Sequence, residues 1–554
     1  MEDKIKVNVK GQGELFVDFN TTLLELSKLA YGSEYKRYLG ARINNEIHNL
    51  KKVVKDNMVI DFLDNRDVDG YRIYTKTISA VFIMACKELY KDSNVSIEHF
   101  LGPGLYAELE NNRTITFSKT EEIEKKMCEI IDNDYDIERI VYSKAEAIDL
   151  FKAHGYEDKV RLLNSIDKEN VSVYNINGHI DSFHGYLAPS TGYVKEFRLK
   201  YYYPGVIMLF PSKKNEYDIN NFKEQKKLAK VFKEANNWLD ILDLAYIGSL
   251  NEKTNRGEIG EVIRIAEALH EKKIAFIADE ICNDNDRNII LIAGPSSSGK
   301  TTFAQRLSIQ LKVNGKRPVS ISVDDYFVDR DKTPLNEDGT PDFEALEAID
   351  LDAFNMDLIS LLEGKEIDLP KFNFLTGKRE KSGKIIRVDQ DHPIIIEGIH
   401  GLNPRLTENI PEKNKHKIYI SALTQLNIDS HNRIATTDTR LIRRIVRDVK
   451  FRGNDPIRTF EMWEGVRAGE EKHIFPYQEE ADIMFDSALV YELAVLKKYI
   501  VPLLERIPNS SIYYSEAKKL LKFLEYFRDI DIEEAIPPNS ILREFIGGTY
   551  FNIH

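Results

Sequence analysis

The sequence predicts a multidomain fold: an open α/β domain with a parallel sheet in the C-terminal half, preceded by a β-grasp module and a larger α+β region. Three observations lead there. From residue 288 onward, short runs of Ile, Val and Leu alternate with helix-period segments, the pattern of a parallel sheet with crossover helices. Residues 4–17 instead alternate apolar and polar positions around Gly11 and Gly13, a hairpin signature. Between these parts, residues 69–211 mix both periods without an internal repeat. At 554 residues the chain also exceeds what one core normally holds.

Taken in order, the hairpin is followed by a short helix over 23–29 and a strand pair over 41–47 and 58–62, together a β-grasp module of residues 1–66. An α+β region spans 67–215, with helices over 78–89 and 121–131 and strands over 140–142, 171–176 and 206–210. Residues 216–285 carry few Gly or Pro and read as a connector of two or three helices. The α/β domain covers 286–490, and 491–554 form a helical extension.

Composition excludes several classes. Apolar residues at 42% and charged residues at 30% are ordinary for a globular protein. A net charge of -13 argues against a general nucleic-acid or membrane-surface binder. Cys86, Cys128 and Cys282 are widely separated, so neither a disulfide framework nor a zinc knuckle is supported. The charged, alternating N-terminus is unlike a signal peptide. No apolar run approaches the ~18 residues that cross a bilayer. The expected location is the cytoplasm.

The most specific signal follows the apolar run 289–293: Gly294-Pro295-Ser296-Ser297-Ser298-Gly299-Lys300-Thr301-Thr302, then a helical pattern. This is GxxxxGK[ST] between a buried strand and a helix, the context a phosphate-binding loop requires. Its glycines permit backbone conformations that a Cβ would block. Its N–H groups and the helix dipole favour phosphate oxygens. Lys300 is expected to reach the β- and γ-phosphates, and the Thr301 hydroxyl to ligate Mg²⁺.

Three further features narrow the chemistry. The run 319–323 ends in Asp324-Asp325-Tyr326-Phe327, placing a carboxylate where ligands sit in parallel sheets, able to accept a hydroxyl proton. The run 393–396 ends in Glu397-Gly398, an acid placed to orient the water shell of Mg²⁺. Arg440, Arg443, Arg444 and Arg447 follow i, i+3, i+4, i+7 on one helical stripe, opposite Leu441, Ile442, Ile445, Val446 and Val449. Four guanidinium groups so placed call for an anion, and a triphosphate suits their geometry. Arg452-Gly453 lies just after and is expected to continue the anion clamp.

These residues together resemble the uridine kinase family, within the group that also contains phosphoribulokinase. The match rests on the phosphate loop, Asp324, Ile396-Glu397-Gly398, the 438–448 segment DTRLIRRIVRD, and Arg452-Gly453. Pro370–Phe374 looks like the segment beside the family's base pocket. The resemblance implies a P-loop kinase fold with ATP and Mg²⁺ as cofactors. It implies that Asp324 is the base for a ribose 5′-hydroxyl, that Glu397 serves Mg²⁺, and that the arginine helix is a lid over phosphates. Lys300, Asp324, Arg443 and Arg447 are the expected catalytic groups. Residues 294–302 with Arg444 and Arg452 would hold the nucleotide; Asp324, Tyr326, Glu344, Phe372 and Arg440 would face the acceptor. Two departures concern the acceptor. The family's Tyr-Asp is Phe372-Asn373, and the histidine expected next is absent from 375–378. The family's ribose-binding Asp has Glu344 or Asp350 as its counterpart.

Residues 4–64 resemble a TGS domain, through 40–50 and 58–62. Residues 69–211 resemble the editing domain of threonyl-tRNA synthetase, most clearly over 181–197. The positions of that family's Cys and His are Phe183 and Leu187, and those of its helical HxxxH are Lys76 and Ala80. A metal or hydrolytic site needs those donors, so no editing chemistry is expected, and His184 reads as an ordinary hydrogen-bonded residue.

The expected activity is phosphorylation of a uridine- or cytidine-like nucleoside. The alternative acceptors are a sugar phosphate or a pantothenate-like metabolite, for which Arg330, Lys332, Lys371, Lys378, Arg379 and Lys381 supply charge. A reading from another class is an RNA-binding regulator whose P-loop senses nucleotide. Contact of the N-terminal half with RNA or protein, and a homo-oligomer, stay open.

Overall fold

The computed structural model describes residues 4–91, 93–109, 114–284, 287–336, 339–373, 376–389, 392–424 and 426–551. Phe374 and Leu375, from the expected base-pocket segment, lie outside them.

Residues 4–63 form a five-stranded sheet in which Ile5–Val9 pairs antiparallel with Gly13–Val17 and parallel with Met58–Leu63. The expected strand over 41–47 is a hairpin of two strands, Gly40–Ile43 and Glu46–His48. Asn44 and Asn45 turn it at φ 49° and 59°, a left-handed pair that asparagine tolerates. The Thr22 hydroxyl accepts the Glu25 N–H and the Glu25 carboxylate accepts the Thr22 N–H, so a capping box starts the helix Leu23–Tyr31.

The next region is α+β. The helix Val68–Leu89 starts well before its apolar run, expected from 78, because Asp67 caps it about three turns earlier. Its buried residues share one apolar core with residues of a four-stranded antiparallel sheet and of a three-stranded one. Among the described residues, no helix is long and apolar enough to cross a membrane.

Three helices follow, Lys226–Ile241, Ile247–Asn255 and Ile259–Asn283. The last lies along the helix after the phosphate loop, where Arg306 donates to Glu271 at 2.7 Å and Asn314 to Asp279 at 2.8 Å.

The C-terminal half is built on five parallel strands in the order Val319–Ser322, Ile394–Glu397, Ile289–Ala293, Lys415–Ser421, Ile483–Asp486. The central strand is apolar and buried at every position, as a strand covered on both faces must be. One apolar core joins the inner strands to the connector helices and to Ile541, Leu542 and Phe545 of the C-terminal extension. The extension and the long connector helix therefore complete the core of this half.

Candidate active site

The central strand ends at Ala293 and the chain enters the phosphate loop. Gly294 passes against the Ile420 carbonyl, where a Cβ would collide. Ser297 and Gly299 hold positive φ, 59° and 83°, and the helix Lys300–Val313 starts at once. A serine in that left-handed position is strained, and three groups of contacts hold it there. The Ser296 N–H donates to Glu470 at 3.1 Å, the Ser487 hydroxyl donates to the Ser298 carbonyl at 2.5 Å, and Arg443 donates to the Ser297 carbonyl at 3.3 Å. The Lys300 ammonium donates to the Pro295 carbonyl at 3.3 Å, folded over the loop it is expected to serve. Thr301 lines the cleft, whereas Ser298 and Thr302 are buried.

Two acids stand opposite Lys300. Parallel register sets Glu397 beside Ile292 of the loop strand and beside Ser322 of the outer strand. The Ser322 hydroxyl donates to it at 3.1 Å. Asp324 follows two residues later and opens onto the cleft. Burial, then repulsion by Asp324, pushes the Glu397 carboxyl up to about 7. Burial also pushes Asp324 up, against the pull of Lys300, Arg452 and Arg447. Two buried carboxylates, one raised by the charge of the other, form a site that a cation would relieve. Asp325 is turned away, its carboxylate accepting the Phe372 N–H at 3.2 Å. Of the two, Asp324 is the one that lines the cleft.

The arginine stripe divides by environment. Arg443 is fully buried behind the loop, gripped by Glu492 at 3.1 and 2.5 Å and by the Ser487 carbonyl at 2.9 Å. It does not line the cleft, so the expectation of a catalytic Arg443 is corrected to a support for the loop. Arg440 is also committed, paired with Glu470 and donating to the Ser296 carbonyl at 3.0 Å. Its side chain nonetheless lines the cleft. Arg444 donates to the Ser296 hydroxyl at 2.6 Å, and Arg447 lies against Asp448 at 3.0 Å. Both line the cleft, as does the more exposed Arg452. Glu470 and Glu492 thus neutralise Arg440 and Arg443, and of the four stripe arginines Arg443 is the one withdrawn from the cleft.

The acceptor side holds one more correction. Tyr326 is buried, packed on Phe354 and donating to Asp357 at 3.0 Å, because the 3₁₀ turn Val323–Tyr326 rotates it into the core. Phe327 takes the cleft-facing place, with its ring 5.6 Å from Phe372. Glu344 also lines the cleft, with a buried carboxylate oxygen that has no hydrogen bond among the described residues. Burial, then Glu470 and Asp324, push it up to about 7. Asp350 instead caps the helix Leu351–Leu362 and pairs with Arg379 at 2.7 Å. Of the two ribose candidates, Glu344 is the one in the cleft.

Sequence reasoning missed Glu470, Glu492, Ser487 and Glu544. The last accepts hydrogen bonds from the Thr302 hydroxyl at 2.7 Å and from the Thr302 N–H at 3.4 Å. None lies in a motif, and no local pattern marks them.

The cleft, about 2820 Å³, runs from the phosphate loop to the N-terminal half. There the four editing positions come together differently. Phe183 and Leu187 are buried, and Lys76 donates to the His184 carbonyl from the helix that also carries Ala80. The His184 N–H donates to Asn432 at 2.8 Å.

A phosphate loop at the carboxyl edge of a parallel sheet, with one acid ending the neighbouring strand and another just past the strand beyond it, defines a P-loop nucleotide domain. Residues 289–494 match the phosphoribulokinase / uridine kinase family, and the C-terminal half carries a P-loop domain of that family. Solved structures similar to the chain include a possible uridine kinase from Bacillus stearothermophilus, with 20% identity, 39% of this chain and 98% of that one covered, and a TM-score of 0.27. D-glycerate 3-kinase from Cryptococcus neoformans var. grubii is another, with 12% identity, 49% and 90% coverage, and a TM-score of 0.22. The N-terminal region is distantly similar to threonine–tRNA ligases. That of Caldanaerobacter subterraneus subsp. tengcongensis is 32% identical over 179 residues, 32% of this chain and 28% of the ligase. That of Wolbachia sp. subsp. Drosophila simulans is 32% identical over 165 residues, 30% and 26%. The chain thus spans about a quarter of the length of these relatives.

Proposed function

We propose that the C-terminal half phosphorylates a hydroxyl of a small molecule, a uridine- or cytidine-like nucleoside, using ATP and Mg²⁺. The observation that carries this reading is the placement of Asp324 and Glu397 at adjacent strand ends opposite Lys300. Asp324 opens onto the cleft and accepts the proton of the attacking hydroxyl. Lys300, Arg444 and Arg447 hold and neutralise the phosphate chain, and the cleft walls exclude water.

The donor set fits Mg²⁺. Thr301 and Glu397 are hard oxygen donors, and the Asp324–Glu397 repulsion is what a divalent cation would offset. No group of three or more metal-binding side chains occurs among the described residues. A P-loop Mg²⁺ needs none, since phosphates and waters complete its shell. When bound, it would supply charge neutralisation to the β- and γ-phosphates.

Phe327 and Phe372 offer flat apolar surface to a base, and Glu344 faces the ribose hydroxyls. Of the six basic residues that would favour a phosphorylated acceptor, Arg330 lines the cleft while Arg379 is tied to Asp350. This balance favours a neutral acceptor. The test is ATP-dependent phosphorylation across a panel of nucleosides, sugars, sugar phosphates and pantothenate. The expected result is turnover of a pyrimidine nucleoside. Preferred turnover of a sugar phosphate would replace that acceptor.

A further inference from the structure

The C-terminal segment reaches the phosphate loop from outside the family-matched residues, and it arrives with an acid. Glu544 places one carboxylate oxygen on both donors of Thr302, the N–H and the hydroxyl. Thr302 is the third residue of the helix that starts at Lys300, so its N–H is one of the orphan donors that a P-loop turns toward phosphate. Both residues are buried. Ile541 of the same segment closes on the loop, where a Cβ on Gly299 would stand 2.5 Å from its methyl. The segment is anchored: Arg543 donates to the Glu533 and Ile536 carbonyls at 2.8 Å each, and Phe545 lies under the Arg443 guanidinium at 5.0 Å.

A carboxylate and a phosphate oxygen compete for the same donors. We propose that Glu544 is a donor-affinity residue: its carboxylate holds the Thr302 end of the phosphate cradle, so a nucleoside triphosphate must displace it to seat its first phosphate. The loop backbone cradles the α- and β-phosphates, while Lys300 and Thr301 serve the far end. Glu544 therefore opposes the α-phosphate end, and its charge also adds to the repulsion that raises Glu397. Its carboxylate satisfies both Thr302 donors, and toward an incoming phosphate it is a like charge to be moved. The inference rests on the P-loop reading of the previous section.

The experiment is the Kd for ATP-Mg by titration calorimetry on the full chain, for wild type, Glu544→Ala, Glu544→Gln and Lys300→Ala. Thermal unfolding without nucleotide reports whether each variant is folded. Both Glu544 variants are expected to bind ATP about tenfold tighter, the scale of one charge-assisted hydrogen bond that phosphate no longer has to replace. Glu544→Gln keeps the shape and a carbonyl acceptor, so it carries the test if the alanine variant does not fold. Unchanged or weaker ATP binding in folded Glu544→Gln overturns the proposal and makes Glu544 a support of the loop. ATP binding by wild type that is lost in Lys300→Ala preserves the P-loop reading in that event. Absence of ATP binding in wild type and both Glu544 variants overturns the two together.

Discussion

Lys159 and Asp429 form a buried ion pair between the α+β region and the kinase-like half, with 2.9 Å between Nζ and Oδ1. Asp181 stands 3.2 Å from the same ammonium. Removing one partner of a buried pair strands the other charge, which costs about 3–5 kcal/mol. Lys159→Met is therefore expected to destabilise the full chain by that amount in urea unfolding. A loss below about 1 kcal/mol, the size of an exposed pair, would contradict the pairing. The same cluster sets acid sensitivity. His431 and Lys159 hold the Asp181 carboxyl well below its ordinary range against the cost of burial. Its stabilising effect is present above the unfolded carboxylate pKa and is lost as pH falls through the depressed folded value. Lys159→Met should flatten that acid limb.

Glu344 predicts the opposite slope. Its carboxyl, ordinarily near 4.5, rises to about 7 in the fold. The folded state then holds a proton that the unfolded state releases, so this contribution is full below about 4.5 and is lost as pH rises through about 7. Urea midpoints of wild type and Glu344→Gln, compared at about pH 5 and about pH 8, should converge at the acid end and separate at the alkaline end, with the variant more stable there. Parallel curves would contradict the shift.

Arg443 and Glu492 predict a coupled loss. Arg443→Met should cost about 3–5 kcal/mol in stability by stranding Glu492, and should weaken ATP binding by freeing Ser297 and Ser298. Arg443→Met combined with Glu492→Leu is expected to recover most of the stability, since it leaves no buried charge, but not the ATP affinity. Recovery of both would show that the guanidinium does not position the loop.

The sequence made the loop, Asp324 and Glu397 legible because each follows directly from a short apolar strand, and parallel strands end at one edge. The arginine helix was legible as a stripe, but the stripe did not say which guanidinium groups were already neutralised. That depended on Glu470 and Glu492, brought in by later helices. Tyr326 was misread because a 3₁₀ turn exchanges the faces of neighbouring residues, and no pattern over four residues fixes where such a turn begins. Asn44-Asn45 could have been read as a hairpin turn, since such a pair favours positive φ. Glu544 could not, because its partner lies 242 positions away.

The central claim is phosphoryl transfer at the Lys300–Asp324–Glu397 edge. It is tested most directly by following γ-phosphate from labelled ATP into an acceptor in single turnover, for wild type, Asp324→Asn and Lys300→Ala. Wild type is expected to transfer, and Asp324→Asn to lose about 10²–10⁴-fold with ATP binding retained, the range for removing a general base. Lys300→Ala is expected to bind ATP more weakly and to lose transfer. Transfer by Asp324→Asn at the wild-type rate, or ATP binding without transfer to any hydroxyl acceptor, would contradict it.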